Sequence, residues 1–182
     1  MKKLIIAAFA LVALATATKV NAQNKIVGGA EMYPDKDIIQ NAVNSKDHTT
    51  LVAAVKAANL VETLESAGPF TVFAPSNSAF EKLPDGTLAS LVKPENKPTL
   101  TKILTYHVIA GNLSTADIIG KIKAGNGKAE LKTVSGGMLT FTTKRKKVYI
   151  TDEKGDKAMV TIADVAQSNG VIHVINTVLL PN

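Results

Sequence analysis

Ser168-Asn169-Gly170-Val171-Ile172-His173-Val174-Ile175-Asn176-Thr177-Val178-Leu179-Leu180-Pro181 is the segment around which the chain is organised. Val171, Ile172, Val174 and Ile175 are β-branched, and only His173 interrupts them. Such side chains are stiff at χ1 and fit a pleated surface. In a strand Val171, His173 and Ile175 point one way, Ile172 and Val174 the other. Both faces are therefore apolar, which suits a strand covered on both sides. Asn169-Gly170 supplies a tight turn before it. Pro181 closes the segment, because proline cannot donate to a ladder. A strand so placed implies a fold that closes only once this segment has joined it.

The residues leading into that strand have a period of two. Ala129 to Val134, Met138 to Thr143, Val148 to Thr151 and Ala158 to Ile162 are four candidate strands. Ser135-Gly136-Gly137 and Glu153-Lys154-Gly155-Asp156 provide hairpin turns between them. Ala163 to Gln167 reads as a short connector, and Gly120 to Lys128 as a Gly/Lys loop after a capped turn, Ser114 to Ile119. The earlier half is helical. Asp37 to Val43, His48 to Ala58 (capped by Asp47), Leu60 to Leu64, Thr87 to Val92 and Thr99 to Tyr106 carry helical apolar spacing. Phe70 to Ala74 and His107 to Ala110 are isolated strands among them. Helices beside a mostly antiparallel sheet system make the class α+β.

Residues 1–22 read as a leader. Met1-Lys2-Lys3 is basic, and Leu4 to Ala15 is apolar but too short to span a bilayer comfortably. Val20-Asn21-Ala22 offers small residues for cleavage after Ala22, with Ala15-Thr16-Ala17 as the second choice. The expected location is therefore secreted or periplasmic, with no stable membrane insertion once the leader is removed. Losing Lys2, Lys3 and Lys19 halves the formal net charge of +6, so the basic balance argues little for nucleic acid. Residues 23–36 read as an N-terminal tail, and 37–182 as one domain. The chain has no cysteine, so packing must supply stability without disulfide staples.

Few residues suggest chemistry. His48, His107 and His173 lie far apart in sequence, and no zinc spacing is present. His173, in an apolar strand, reads as a hydrogen-bonded core histidine. Asp164, Ser168 and His173 imitate triad parts, yet a mid-strand histidine is poorly placed to meet substrate. There is no nucleophile elbow and no phosphate-cradling glycine loop, so neither an enzyme nor a cofactor is expected. Tyr106 and His107 stand at a helix-to-strand junction. They either satisfy loose backbone groups there or form a surface recognition pair. Lys144-Arg145-Lys146-Lys147 reads as a hairpin tip. It is either a solvated loop that guards a strand edge or a contact for an anionic polysaccharide, lipid headgroup or cell-surface polymer. Without tryptophan, and with three tyrosines, aromatic interleaving for single-stranded nucleic acid is lacking.

Three stretches together resemble the fasciclin domain family. Thr71-Val72-Phe73-Ala74-Pro75-Ser76-Asn77-Ser78-Ala79-Phe80 looks like its first motif, and Leu104-Thr105-Tyr106-His107-Val108 like its tyrosine-histidine motif. Asn169 to Pro181 looks like its second. Asp47-His48-Thr49-Thr50-Leu51 is similar to the family's early helix, with His48 where many relatives carry an aromatic; Asn176 stands where aspartate is common. The resemblance implies a wedge-like β-sandwich flanked by helices and a non-catalytic adhesion or extracellular binding module. The partner it implies is a cell-surface or matrix protein or a polysaccharide. In animal relatives the tyrosine-histidine region is linked to integrin binding, which would point to Tyr106 and His107. Some algal relatives bind carotenoids, so a carrier of an apolar small ligand is an alternative, as is a binder of acidic envelope polysaccharide.

Overall fold

The structure, a computed structural model, describes residues 24–182; the expected leader lies outside them. The segment read as a tail is not featureless. β1 (Lys25–Val27) and β2 (Ala30–Met32) form an antiparallel hairpin across Gly28-Gly29. Both glycines have positive φ, as this tight turn requires. Val27 and Met32 are buried in the core. Lys25 Nζ donates to the Asp164 carbonyl at 2.8 Å, tying the hairpin to the sheet. Strands of three residues give too few alternations for periodicity to register.

α1 (Ile38–Ala42) starts from an Asp37 capping box with Gln40. A tight turn over Lys46–His48 leads into α2 (Thr49–Ala57), and α3 (Val61–Glu65) follows. Asp47 does not cap α2. The cap comes from across the fold, where Asn77 Oδ1 accepts from the Thr50 amide at 3.0 Å. The same side chain donates to the Lys46 carbonyl at 2.9 Å. β3 (Phe70–Pro75), α4 (Asn77–Phe80), α5 (Thr87–Leu91), α6 (Lys97–Tyr106) and β4 (Val108–Ala110) come next.

α7 runs Thr115–Ala124, beyond the expected single turn. Ser114 and Asp117 form its capping box, and Ile118 and Ile122, one turn apart, are buried. Their burial outweighs the cost of Gly120 inside the helix, about 1 kcal/mol. β5 (Lys128–Lys132), β6 (Met138–Lys144), β7 (Lys147–Thr151), β8 (Lys157–Gln167) and β9 (Gly170–Ile175) complete the chain.

Seven strands form a sheet in the order β4-β3-β9-β8-β7-β6-β5. β3 and β9 are parallel, and the other neighbours are antiparallel. β8 absorbs the segment read as a connector. Its register shifts between Val160 and Val165, with Asp164 at φ 55°, let one strand bend and serve both halves of the sheet. The two edges nearly meet, since the Val134 amide donates to the Val108 carbonyl at 2.8 Å. This nearly closed sheet is the wedge-like sandwich expected from the resemblance. Among the described residues no helix is long and apolar enough to cross a membrane.

β9 is buried along its whole length and divides two cores. Ile172 and Val174 pack with α1, α2, α3 and α6 in one. Ile175 packs with Phe73, Phe141, Ile150, Ile118 and Ile122 in the other. Asn169 locks the entry to the strand. Its Oδ1 accepts from the Ile38 amide at 3.1 Å, and its Nδ2 donates to the carbonyls of Leu64 and Ser66 at 2.7 and 2.9 Å.

Candidate functional site

The chemistry-bearing residues fall into an inward set and an outward set. His173 belongs to the first. It is 1% exposed, and its ring stacks on Phe73 at 5.5 Å between centroids and 20° between planes. Its Nδ1 accepts from the Asp164 amide at 3.2 Å, which leaves Nε2 to donate to the Leu113 carbonyl at 2.8 Å. Burial holds its pKa below the ordinary imidazole value. The triad imitation dissolves here. The Asp164 carboxylate accepts from the Thr115 amide at 2.6 Å, and the Ser168 amide donates to the Lys36 carbonyl at 2.9 Å. His173 thus meets the backbone of Asp164, not its carboxylate.

Tyr106 and His107 are also inside, which corrects the surface-pair reading. Tyr106 is fully buried, and its hydroxyl donates to the Met138 carbonyl at 2.8 Å while accepting from the Glu153 amide at 3.1 Å. Burial pushes the phenol up to about 12. His107 Nδ1 donates to the Ile103 carbonyl at 2.8 Å, so Nε2 is free to accept from the Leu179 amide at 2.9 Å. Burial lowers its pKa to about 4. The pair acts as a latch for the C-terminal segment. Asp152 accepts from the Leu180 amide at 2.9 Å and Glu153 from the Asn182 amide at 3.1 Å. The two amides on Glu153, those of Met138 and Asn182, lower its pKa. The reading that His107 satisfies loose backbone groups is the one the geometry meets. The latch partners Asp152 and Glu153 carried no sequence signal, being separated from Tyr106 by more than forty residues.

Lys144, Arg145, Lys146 and Lys147 do form a hairpin tip, between β6 and β7, and all four are exposed. Arg145 and Lys146 occupy the turn at φ 50° and 64°. β6 and β7 both lie inside the sheet order, so this tip guards no strand edge.

Among the spaces in the surface, two bear on ligand binding. An apolar cavity of about 60 Å³ lies between α1, α2, α3, α6 and the sheet, lined by Ile38, Leu51, Val55, Leu64, Val72 and Leu104 among others. It holds a handful of atoms, so a carotenoid-sized ligand does not fit this conformation. An open cleft of about 450 Å³ is lined by Asp47, Ser76, Asn77, Ser78, Glu81 and Asn176. No histidine reaches it, and Asn77 is already engaged in capping α2. Among the described residues no cluster of three or more His, Asp or Glu is placed to hold a metal.

The bent, nearly closed sheet carries α1 to α6 over one core and α7 over the other, and the histidines face inward. The fasciclin domain family model matches residues 46–181, and the chain belongs to that family. Protein sll1483 of Synechocystis is 46% identical over 87% of this chain and 81% of its own length. Immunogenic protein MPB70 of Mycobacterium bovis is 37% identical over 77% of this chain and 66% of its own. Transforming growth factor-beta-induced protein ig-h3 of Sus scrofa is 39% identical over 72% of this chain, which is 17% of that longer protein. A solved FAS1 domain pair from the insect cell adhesion molecule fasciclin I superposes with TM-score 0.70 at 20% identity, over 81% of this chain and 51% of that one.

Proposed function

We propose that this chain is an exported binding and adhesion module that works without catalysis, in the periplasm or outside the cell. One observation carries the reading. The reactive side chains of the motifs, Tyr106, His107 and His173, are buried and occupied by backbone hydrogen bonds. What the molecule offers a partner is its outer surface. Family membership supports adhesion, since fasciclin I is described as a cell adhesion molecule. Cell surface glycolipoprotein MPB83 of Mycobacterium bovis, 34% identical over 88% of this chain, supports an envelope location, as does the apolar leader read over residues 1–22. The partner class is a cell-surface or matrix protein or a polysaccharide.

The test is adhesion. Beads coated with residues 24–182 should cluster on cells that encode the protein, and beads coated with heat-unfolded protein should not. Equal clustering by both would remove the reading. So would turnover of a substrate that is abolished by point changes in the folded domain. Expression of the full chain in a bacterium should yield an exported product beginning at Gln23, read by mass spectrometry.

A further inference from the structure

We propose that the basic hairpin tip, with the sheet face beside it, binds an acidic polysaccharide through its carboxylates or sulfates; this rests on the binding-module reading above. Strand register places the cations. Lys144 lies directly opposite Lys147, and Lys128 opposite Thr142, two residues from Lys144. Partners in register share a face, and so do residues two apart. Lys128, Lys144 and Lys147 therefore stand on the outer face of β5–β6–β7, with Arg145 and Lys146 projecting at its end. The opposite face, through Ala129, Phe141, Val148 and Ile150, is buried in the core. Between the cations lie the hydroxyls of Thr142 and Tyr149, which are paired in register. Hydroxyls interleaved with ammonium groups suit a sugar polymer that carries regular anions.

The four tip cations are not used internally. Lys128 pairs with Glu130, two residues along the same face, at 3.0 Å, and among the described residues Lys144, Arg145, Lys146 and Lys147 meet no carboxylate. Local rules are also broken to keep them there. A two-residue turn with both φ positive favours Asn-Gly, Asp-Gly or Gly-Gly, yet Arg145-Lys146 fills it. Like charges directly opposite, as at Lys144 and Lys147, destabilise a strand pair. The edge-guarding explanation fails, because β6 and β7 are both paired on each side. Local rules broken without an internal gain are expected where a surface serves a ligand.

The surroundings select among anionic partners. A membrane-docking tip needs apolar side chains to insert, but Thr143 is polar and Val148 is buried. A single-strand nucleic-acid site needs aromatic platforms, and Tyr149, half-buried, is the one aromatic on this face. A polysaccharide needs neither.

The experiment compares residues 24–182 with R145N/K146G and with K56S/K93S, which removes the same charge from two exposed positions away from the tip, one in α2 and one in the loop after α5. Titration calorimetry at low salt uses alginate, dextran sulfate, neutral dextran and vesicles of phosphatidylglycerol. The wild type should bind alginate or dextran sulfate and leave dextran and vesicles unbound. R145N/K146G should lose at least about tenfold in affinity and flatten the salt dependence by about two charges' worth. Its melting temperature should not fall, because the new turn residues suit the turn. K56S/K93S should bind as the wild type does. Equal loss in both variants, vesicle binding as tight as polysaccharide binding, or no polyanion binding at all overturns the proposal. The last result, beside beads that still cluster on cells, would leave the adhesion reading standing.

Discussion

At the scale of single residues, the histidines govern how the domain responds to acid. His107 is neutral in the fold, with its pKa held at about 4 against an ordinary 6.5. The unfolded chain binds its proton first as pH drops. Stability is therefore full above about pH 6.5 and is lost progressively down to about pH 4. This site should remove about 2 kcal/mol between pH 7 and pH 5. His48 and His173 are lowered in the same direction, chiefly by burial, and add to the slope. Urea titrations at pH 7 and pH 5 should show the loss, and His107→Gln should be less stable at pH 7 but lose markedly less on acidification. A parallel loss in both proteins would show that His107 is charged in the fold. Gly170 is a second decisive residue. A Cβ there would lie 2.0 Å from the Phe70 carbonyl oxygen, an atom fixed by the pairing of β3 with β9. Gly170→Ala should cost about 3 kcal/mol, the upper part of the overpacking range, and lower the melting temperature by roughly 6–12 °C. A shift within the error of the scan would mean that the two strands can part there.

Elements were legible in the sequence where periodicity is long and were lost where it is short or interrupted. β9 reads correctly because four of its six residues are β-branched and apolar and both faces are covered. The β6–β7 hairpin reads correctly because alternation flanks a compact polar tip. α7 was legible only as a turn, since Gly120 and the lysines hide the Ile118–Ile122 spacing that buries it. β8 looks like a strand and a separate connector in the sequence, because its bulges break the period of two at the point where the strand turns from one half of the sheet to the other. The parallel pairing of β3 with β9 has no local signal, as the partners are about a hundred residues apart. The latch was half legible: the tyrosine-histidine pair was visible, but its acceptors and donors come from β6, the β7–β8 turn and the C-terminal segment. At the β6–β7 tip the turn chemistry makes its own prediction. Replacing Arg145 by Asn and Lys146 by Gly should stabilise the domain by about 1–2 kcal/mol, since left-handed backbone is strained for ordinary L-residues. The measurement is the urea midpoint at unchanged slope. A lower midpoint would mean that the cations contribute to the fold.

For the molecule as a whole, the position of β9 between two cores dictates how the domain opens. Ile172 and Val174 belong to the helical core, and Ile175 to the core inside the bent sheet. Neither core can lose its wall without exposing the other. The C-terminal segment reinforces the coupling, because Leu179 is fully buried and its amide is held by His107. Regions with few such shared contacts open at lower free energy. α5 carries no fully covered side chain, so it belongs to that group. Native-state hydrogen exchange should therefore rank the amides. Those of Val171 to Ile175 should exchange only through global unfolding, with a free energy equal to that from urea. Those of α5 should exchange several kcal/mol more easily. Removing residues 178–182 should bring the β9 amides down together with those facing both cores, since the latch holds the strand in register with each. If the truncated protein loosened only the core around Phe141 and left the helical core protected, the two would be independent units that merely share a strand.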